Sequence, residues 1–300
     1  MKRIANVTVS VVVLGLLIWW ADAVAVLAHL HGALIGWLVL AAISLTALTF
    51  LMARRWQIVA RALDIEISYA RAVAEYYIAQ LVNLVLPGGV VGDVARAVRV
   101  RHAGDMVRAA QSVAADRIVG QVVMFAVLGA GLIVALVVPG GIAWPTFAWL
   151  GCGVGLGGVA FVFVVSRRES ATGQFLALIL RLLQNLHLLA LAVIITALLI
   201  FSLYACARAT GTSIPASGWF TLIPLILSAM LIPLSVGGWG WREGAAAALF
   251  PLIGATPSAG IAMGIAYGAM MMIAALPGLY FAMRIGASPN SSSPTHMEIQ

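Results

Sequence analysis

The sequence predicts an all-α polytopic membrane protein, with about six transmembrane helices and two re-entrant helical hairpins in an inverted-topology repeat. Three observations carry this expectation. The chain is 63% hydrophobic and 9% charged, with a mean hydropathy of +1.08, whereas about 25% of an average soluble chain is charged. Apolar runs close to the roughly 20 residues that a helix needs to cross a bilayer recur along its length. Two glycine-rich, charge-bearing breaks interrupt them. The first reads Asn83-Leu84-Val85-Leu86-Pro87-Gly88-Gly89-Val90-Val91-Gly92-Asp93-Val94-Ala95-Arg96, and the second Ile232-Pro233-Leu234-Ser235-Val236-Gly237-Gly238-Trp239-Gly240-Trp241-Arg242-Glu243-Gly244.

In chain order, the apolar runs give spans at 7–28, 33–52, 118–138, 146–166, 187–207 and 259–283. The first begins after Lys2 and Arg3 and is too long for the apolar core of a signal peptide, so it reads as an uncleaved span. The regions 68–102 and 218–254 are irregular. Together these make one membrane domain over residues 1–285, with halves at about 5–138 and 146–285, followed by a disordered polar tail at 286–300 that is rich in Ser, Pro and Asn. Cys152 and Cys206 both lie inside apolar runs and read as small buried hydrophobes, not as a disulfide framework.

Orientation follows the arginines. Lys2 and Arg3 put the N-terminus in the cytoplasm. Arg54, Arg55, Arg61, Arg71, Arg96, Arg99, Arg101, Arg108 and Arg117 all fall within 53–117, so both ends of that region belong to the cytoplasm and the stretch 72–86 dips in and returns. The uncharged loop 139–145 is external. Arg167, Arg168 and Arg181 bring the chain back to the cytoplasm. The loop 208–217 is external, and Arg284 places the C-terminus in the cytoplasm. Each half then reads span, span, dip, span. Three crossings is an odd number, so the second half is inverted and one dip opens to each face. The expected location is a bacterial cytoplasmic (inner) membrane. A net charge of +7 spread over the loops suits anionic lipid headgroups and does not indicate nucleic acid.

Broken backbone persists at membrane depth only where it is buried in protein or lines a cavity, and matching breaks in two halves point to a transporter's binding site. The candidate substrate-binding residues are therefore Asn83, Gly88, Gly89, Gly92, Asp93 and Arg96 in the first break, and Gly237, Gly238, Trp239, Trp241, Arg242 and Glu243 in the second. Asp93 and Arg96 share a helix face, while the adjacent Arg242 and Glu243 project in different directions. Each set opens a helix after a glycine turn, where free N–H groups and a guanidinium together suit a phosphate. Glu75, Tyr76, Gln80 and Asn83 form a polar stripe at helical spacing; Glu75 and Gln80 are supporting candidates. Asp116 and Arg117, also supporting candidates, read as a cap and anchor where the third crossing opens. His29 and His31 lie on an outer turn, and no cysteine or carboxylate cluster backs them as metal ligands. No protease, zincin or nucleotide-binding motif is present, so no catalytic residue, metal or cofactor is expected, and the chain is not read as an enzyme.

With these motifs in hand, the chain resembles the transmembrane region of lysylphosphatidylglycerol synthases, a flippase-like membrane family, over roughly residues 5–285. The matching pieces are Asn83…Leu86-Pro87…Gly92-Asp93…Arg96, Ala114-Ala115-Asp116-Arg117, and Pro233…Gly237-Gly238-Trp239-Gly240-Trp241-Arg242-Glu243. The family usually carries Gly-Glu before the first arginine and Glu-Arg in the middle segment; Asp93 and Asp116 stand there in this chain. The separate soluble aminoacyl-transferring module of the full-length synthases is not in the sequence. The resemblance implies a lipid transporter that moves an anionic amphiphile, a phospholipid or a polyprenyl-phosphate-linked lipid, between leaflets. The partners expected are the bilayer, a lipid substrate, and a glycosyltransferase or lipid-synthesis enzyme. One rival reading is an accessory or scaffold subunit of a membrane glycosyltransferase without transport activity. Another is an intramembrane transferase using Asp93 or Glu243.

Overall fold

The computed structural model describes residues 15–17, 19–20, 22–86, 89–101, 105–137, 170–231 and 236–286. Every extended element among them is helical: α1 (Ala23–His31), α2 (Ile35–Arg61), α3 (Tyr69–Val85), α4 (Val91–Val100), α5 (Met106–Val137), α6 (Ala171–Leu183), α7 (Leu186–Ala209), α8 (Ala216–Trp219), α9 (Leu222–Ala229), α10 (Trp241–Leu249), a 3₁₀ turn (Phe250–Ile253), α11 (Pro257–Ala275) and α12 (Pro277–Gly286). Polar side chains fix several starts by accepting from free N–H groups of the first turn. Ser68 accepts from Arg71 N, Asn185 from His187 N and Leu188 N, and Thr256 from Ala259 N.

Four described helices are long and apolar enough to cross a membrane: Ile35–Arg61, Met106–Ala135, Leu186–Ala209 and Pro257–Arg284. They coincide with four of the six expected spans. The span at 146–166 lies outside the described residues, as do Cys152, residues 287–300 of the tail and residues 7–14 of the span at 7–28. Within that last span, Asp22 starts a new helix: it adopts φ 67° and its carboxylate caps Val24 N and Ala25 N. Two expected boundaries move. The second span was expected to stop before Arg54, yet α2 runs on to Arg61. The third crossing was expected to open at Asp116, yet α5 starts at Met106, where Asp105 accepts from Arg108 N. Asp116 is thus one of the interior residues of a helix and not an interfacial cap. Between the spans, α6 lays Ile179 and Leu182 against Val119 of α5 and Leu188 of α7.

The core is built on α2 and α7, which pack side by side and antiparallel. Leu34 N donates to Ala209 O at 2.9 Å, and one third of the way down Ser44 Oγ donates to Leu198 O, also at 2.9 Å. Around this pair sit two helix–turn–helix units. In the first, α3 ends at Leu86, which takes the extended conformation favoured before a proline. The chain then reverses and α4 packs back on α3. Gly92 makes that closure possible, because a Cβ there would collide with the Ala79 carbonyl. An ion pair of Asp64 with Arg108 at 3.5 Å joins the loop before α3 to the start of α5, so this unit begins and ends at one end of the molecule.

The second unit, α8 to α10, begins and ends at the opposite end. There His29 Nδ1 lies 3.0 Å from Thr210 O, and Val26 of α1 clusters with Ala247, Ile261 and Ala262. The turns of the two units meet in the middle of the fold. Gly237, at φ 56°, lies against the backbone of Leu84, and a Cβ on it would be 3.0 Å from the Leu84 carbonyl oxygen. Only glycine combines that left-handed backbone with so close an approach.

Gly92→Ala is expected to destabilise the protein by about 1–3 kcal/mol through overpacking against a backbone that cannot give way. The check is the thermal midpoint of the purified protein in detergent; an unchanged midpoint would contradict the described α3–α4 contact.

Candidate functional site

The strongest polar feature is a chain of five ionised side chains that alternate in sign: Arg55, Asp116, Arg96, Asp93 and Arg117. It links α2, α4 and α5 around α3. Arg55 Nε donates to Asp116 Oδ1 at 2.8 Å. The Tyr76 hydroxyl donates to Asp116 Oδ2, and Arg96 Nη2 stands 3.8 Å from the same oxygen. Arg96 Nη2 also pairs with Asp93 Oδ1 at 3.0 Å. Asp93 Oδ2 in turn accepts from Asn83 Nδ2 at 2.8 Å and from Arg117 Nη2, which also donates to Gly89 O at 2.9 Å. Asn83 closes the turn from its other side, where its Oδ1 accepts from Gly92 N at 2.7 Å. Asp93 sits in the first turn of α4, where the helix end favours a carboxylate.

Arg55, Arg96 and Asp116 are fully or almost fully buried. A charge so placed is retained only when its surroundings compensate it; Arg96 is ion-paired, but among the described residues none of its guanidinium nitrogens has a hydrogen-bond partner, and the rings around it supply the rest. Its guanidinium lies between two rings, 4.3 Å from the Trp56 centroid and 4.1 Å from that of Tyr76. Trp56 is fixed by donating to Ser112 Oγ at 3.3 Å.

Beside this chain lies a cavity of about 350 Å³ between α2, α3, α5, α7 and the two turns. Arg55, Tyr76, Gln80, Asn83, Asp93 and Arg117 form its polar end. Leu45, Leu48, Met124, Leu199, Met230 and Met271 are in its apolar wall. Gly237 and Gly238 of the second break complete the lining. Arg55 is 3% exposed, yet among the described residues its Nη1 has no hydrogen-bond partner. Gly120, also in the wall, leaves room beside that nitrogen: a Cβ there would come within 2.8 Å of it.

The residues predicted from the sequence divide into three groups. Asn83, Gly89, Asp93, Gly237, Gly238, Gln80 and Arg117 line the cavity, and Gln80 Oε1 accepts from Thr49 Oγ1 at 3.1 Å. Gly92, Arg96 and Asp116 stand directly behind that wall. Glu75, Trp239, Trp241, Arg242 and Glu243 lie elsewhere, and Gly88 is outside the described residues. Glu75 does not continue the stripe of Tyr76, Gln80 and Asn83; it is fully buried and pairs with Arg71 at 2.8 Å and Arg99 at 2.6 Å.

Arg242 and Glu243 correct an expectation. They do not diverge but bind each other, both fully buried. Glu243 Oε2 folds back to accept from Gly240 N at 2.7 Å, which turns Oε1 toward the guanidinium of its neighbour. Arg242 also faces the rings of Trp239 and Tyr267 at 5.0 and 5.5 Å. Gly264 and Gly268 of α11 give the pair its space. Trp241 opens α10 half-buried. His29 is used by Thr210, and among the described residues no group of three potential ligands could hold a metal ion.

The model of the family described as the lysylphosphatidylglycerol synthase TM region matches residues 7–278. That is most of the 300-residue chain and includes both breaks. The chain belongs to this family. No curated protein and no solved structure matches it. Membership agrees with the resemblance of the three motifs, and the family model that matches is that of a transmembrane region. Within this family member the sequence-derived site lacked Arg55, Trp56, Tyr76 and Gly120. Arg55 was read as one of many topology-setting arginines. The available signal was the pairing of two adjacent polar doublets, Arg54-Arg55 and Asp116-Arg117, in otherwise apolar helices.

Asp116→Asn would leave Arg55 and Arg96 without their shared counter-charge. Breaking such a buried pair is expected to cost about 3–5 kcal/mol, read as a large fall in thermal midpoint. Adding Arg55→Gln to Asp116→Asn is expected to recover part of the loss. A single variant as stable as the parent would contradict the ionic chain.

Proposed function

We propose that this protein is a lipid transporter that carries an anionic amphiphile between the leaflets of a bacterial cytoplasmic membrane, acting without an enzymatic step. The observation that carries the reading is the cavity: one end polar and cationic, the rest apolar, placed where the two turns meet. A headgroup crosses a bilayer slowly because its charge must leave water for hydrocarbon. The Arg55–Arg117 end replaces that hydration with fixed donors, and the apolar wall accommodates the first part of an acyl or prenyl chain. In this reading the helix–turn–helix units are re-entrant hairpins that enter from opposite faces, and the antiparallel α2 and α7 are the corresponding second spans of two inverted halves. Both termini are cytoplasmic.

Support for the hairpins comes from size and from where their ends lie. At about 1.5 Å per residue, the ten residues of α4 and the nine of α10 reach only about 15 Å, half of a hydrocarbon core of about 30 Å. Support for transport over a transferase comes from the state of the carboxylates. Asp93 and Asp116 are each held by two arginines, and Glu243 by one arginine and a backbone N–H. All three are committed as acceptors.

Two measurements test this. A single cysteine at Ser68, in a background lacking Cys152 and Cys206, is expected to react only from the cytoplasm, and one at Ser217 only from outside. Labelling of both from the same side would remove the inverted arrangement. In liposomes without ATP, the protein is expected to speed exchange of a labelled anionic phospholipid, and Arg55→Gln to slow it about tenfold or more, the equivalent of about 1.4 kcal/mol. An exchange rate equal to that of empty liposomes would favour the scaffold reading.

A further inference from the structure

The polar end of the cavity has a definite charge. Three guanidiniums (Arg55, Arg96, Arg117) face two carboxylates (Asp116, Asp93), which leaves one positive charge in excess. Among the described residues no other ionisable group lines the cavity, apart from the Tyr76 and Tyr267 hydroxyls. Elsewhere near the breaks Arg242 is matched by Glu243, and Glu75 pairs with both Arg71 and Arg99, whose extra positive charge is left to solvent because both arginines are partly exposed. The excess has a location, too. Several buried guanidinium nitrogens lack a hydrogen-bond partner among the described residues, all three of Arg96 included, but Arg55 Nη1 is the one that belongs to a cavity-lining residue, at a wall position that Gly120 keeps open.

We infer that the cavity is charge-matched to a headgroup bearing a single negative charge, a phosphodiester, and that it selects this headgroup over both dianionic phosphomonoesters and zwitterionic headgroups. The inference rests on the lipid reading of the site. Its physical basis is the different scaling of two terms. Attraction to a site of fixed charge grows in proportion to the ligand's charge, whereas the cost of removing the ligand from water grows as the square of that charge. Burial is expensive for any ion and is offset only by close, complete pairing. A monoanion brings the site to neutrality. A dianion pays the larger desolvation cost and leaves one buried negative charge over. A zwitterion gives the phosphate its donors but adds a cation near Arg55 and Arg117, so the excess stays uncompensated. The phosphodiester oxygens would accept from Arg55 Nη1 and Arg117, with the apolar chain against Leu45, Leu48 and Met52, which share the cavity wall.

The test is equilibrium competition against a fluorescent phosphatidylglycerol bound to the full chain in detergent. The competitors are phosphatidylglycerol, phosphatidic acid, phosphatidylcholine and the water-soluble glycerophosphoglycerol. At about pH 8, phosphatidylglycerol is expected to outcompete phosphatidic acid and phosphatidylcholine about tenfold or more. A phosphomonoester loses its second charge near about pH 6, so at about pH 5 phosphatidic acid is expected to close most of that gap while phosphatidylcholine does not. Arg117→Gln removes the excess charge, yet Asp93 keeps Arg96 and Asn83 as partners. This variant is expected to stay folded and to lose the preference for phosphatidylglycerol over phosphatidylcholine.

Phosphatidic acid binding equally well or better at about pH 8, or an undiminished preference in Arg117→Gln, would overturn the inference. Equal competition by glycerophosphoglycerol would assign the site to a soluble phosphodiester and overturn the lipid source. Selective binding without leaflet exchange would defeat transport but leave charge matching intact. Exchange without selectivity would do the reverse.

Discussion

The rest of the site depends on keeping Arg55, Asp116, Arg96, Asp93 and Arg117 ionised inside an apolar helical domain. No one of these charges would be retained alone away from water. Linked in alternation they neutralise one another, apart from a single positive charge, and the linkage sets where each helix sits. Asp116 ties α5 to α2 through Arg55 and to α4 through Arg96, while Tyr76 brings in α3. Asp93 ties α4 to the last turn of α3 through Asn83 and to α5 through Arg117. The aromatic slot of Trp56 and Tyr76 holds the central guanidinium from both sides. The cavity is what remains between this polar frame and the α2–α7 pair.

The two breaks divide the work unequally. The first presents polar groups to the cavity, through Asn83, Gly89 and Asp93. The second contributes bare backbone, Gly237 and Gly238, to the wall and keeps its charges behind it. The Arg242–Glu243 pair is satisfied within α10 and by Gly240 N, with Trp239 and Tyr267 over the guanidinium. Its role in this arrangement is to fix the start of α10, so that the glycine turn before it can reach Leu84. Similar motifs in two halves therefore serve two purposes: one offers a site and the other holds the tip that closes it.

The helical class, four spans and both breaks were legible because they rest on local signals: apolar run length, glycine and proline punctuation, and arginine placement. Asp93 with Arg96 was legible for the same reason, since a spacing of three puts both on one helix face. What could not be read is non-local. Arg55 resembles its exposed neighbour Arg54 in sequence, and only the fold brings it to Asp116, on a helix far along the chain. The same blindness misplaced Asp116, because a carboxylate inside an apolar helix looks like a helix start until its partners are known. Arg242 and Glu243 were read as diverging from ideal helix geometry. The backward reach of Glu243 to Gly240, a capping interaction, overrides that geometry.

The central claim, that a lipid headgroup enters between the two turns, is tested most directly by photo-crosslinking. Phosphatidylglycerol with a photoreactive group close to its glycerophosphate would be equilibrated with the protein in nanodiscs, irradiated, and the adducts mapped by mass spectrometry. Helices α5 and α7 each carry an internal control. Gln121 and Met124 on α5, and Thr196 and Leu199 on α7, line the cavity. Val122 and Phe125, and Val193 and Ile194, are exposed on the outside of the same helices. The expected result is adducts on the cavity-lining set that diminish in Arg55→Gln. Adducts confined to the outward-facing set would contradict the account.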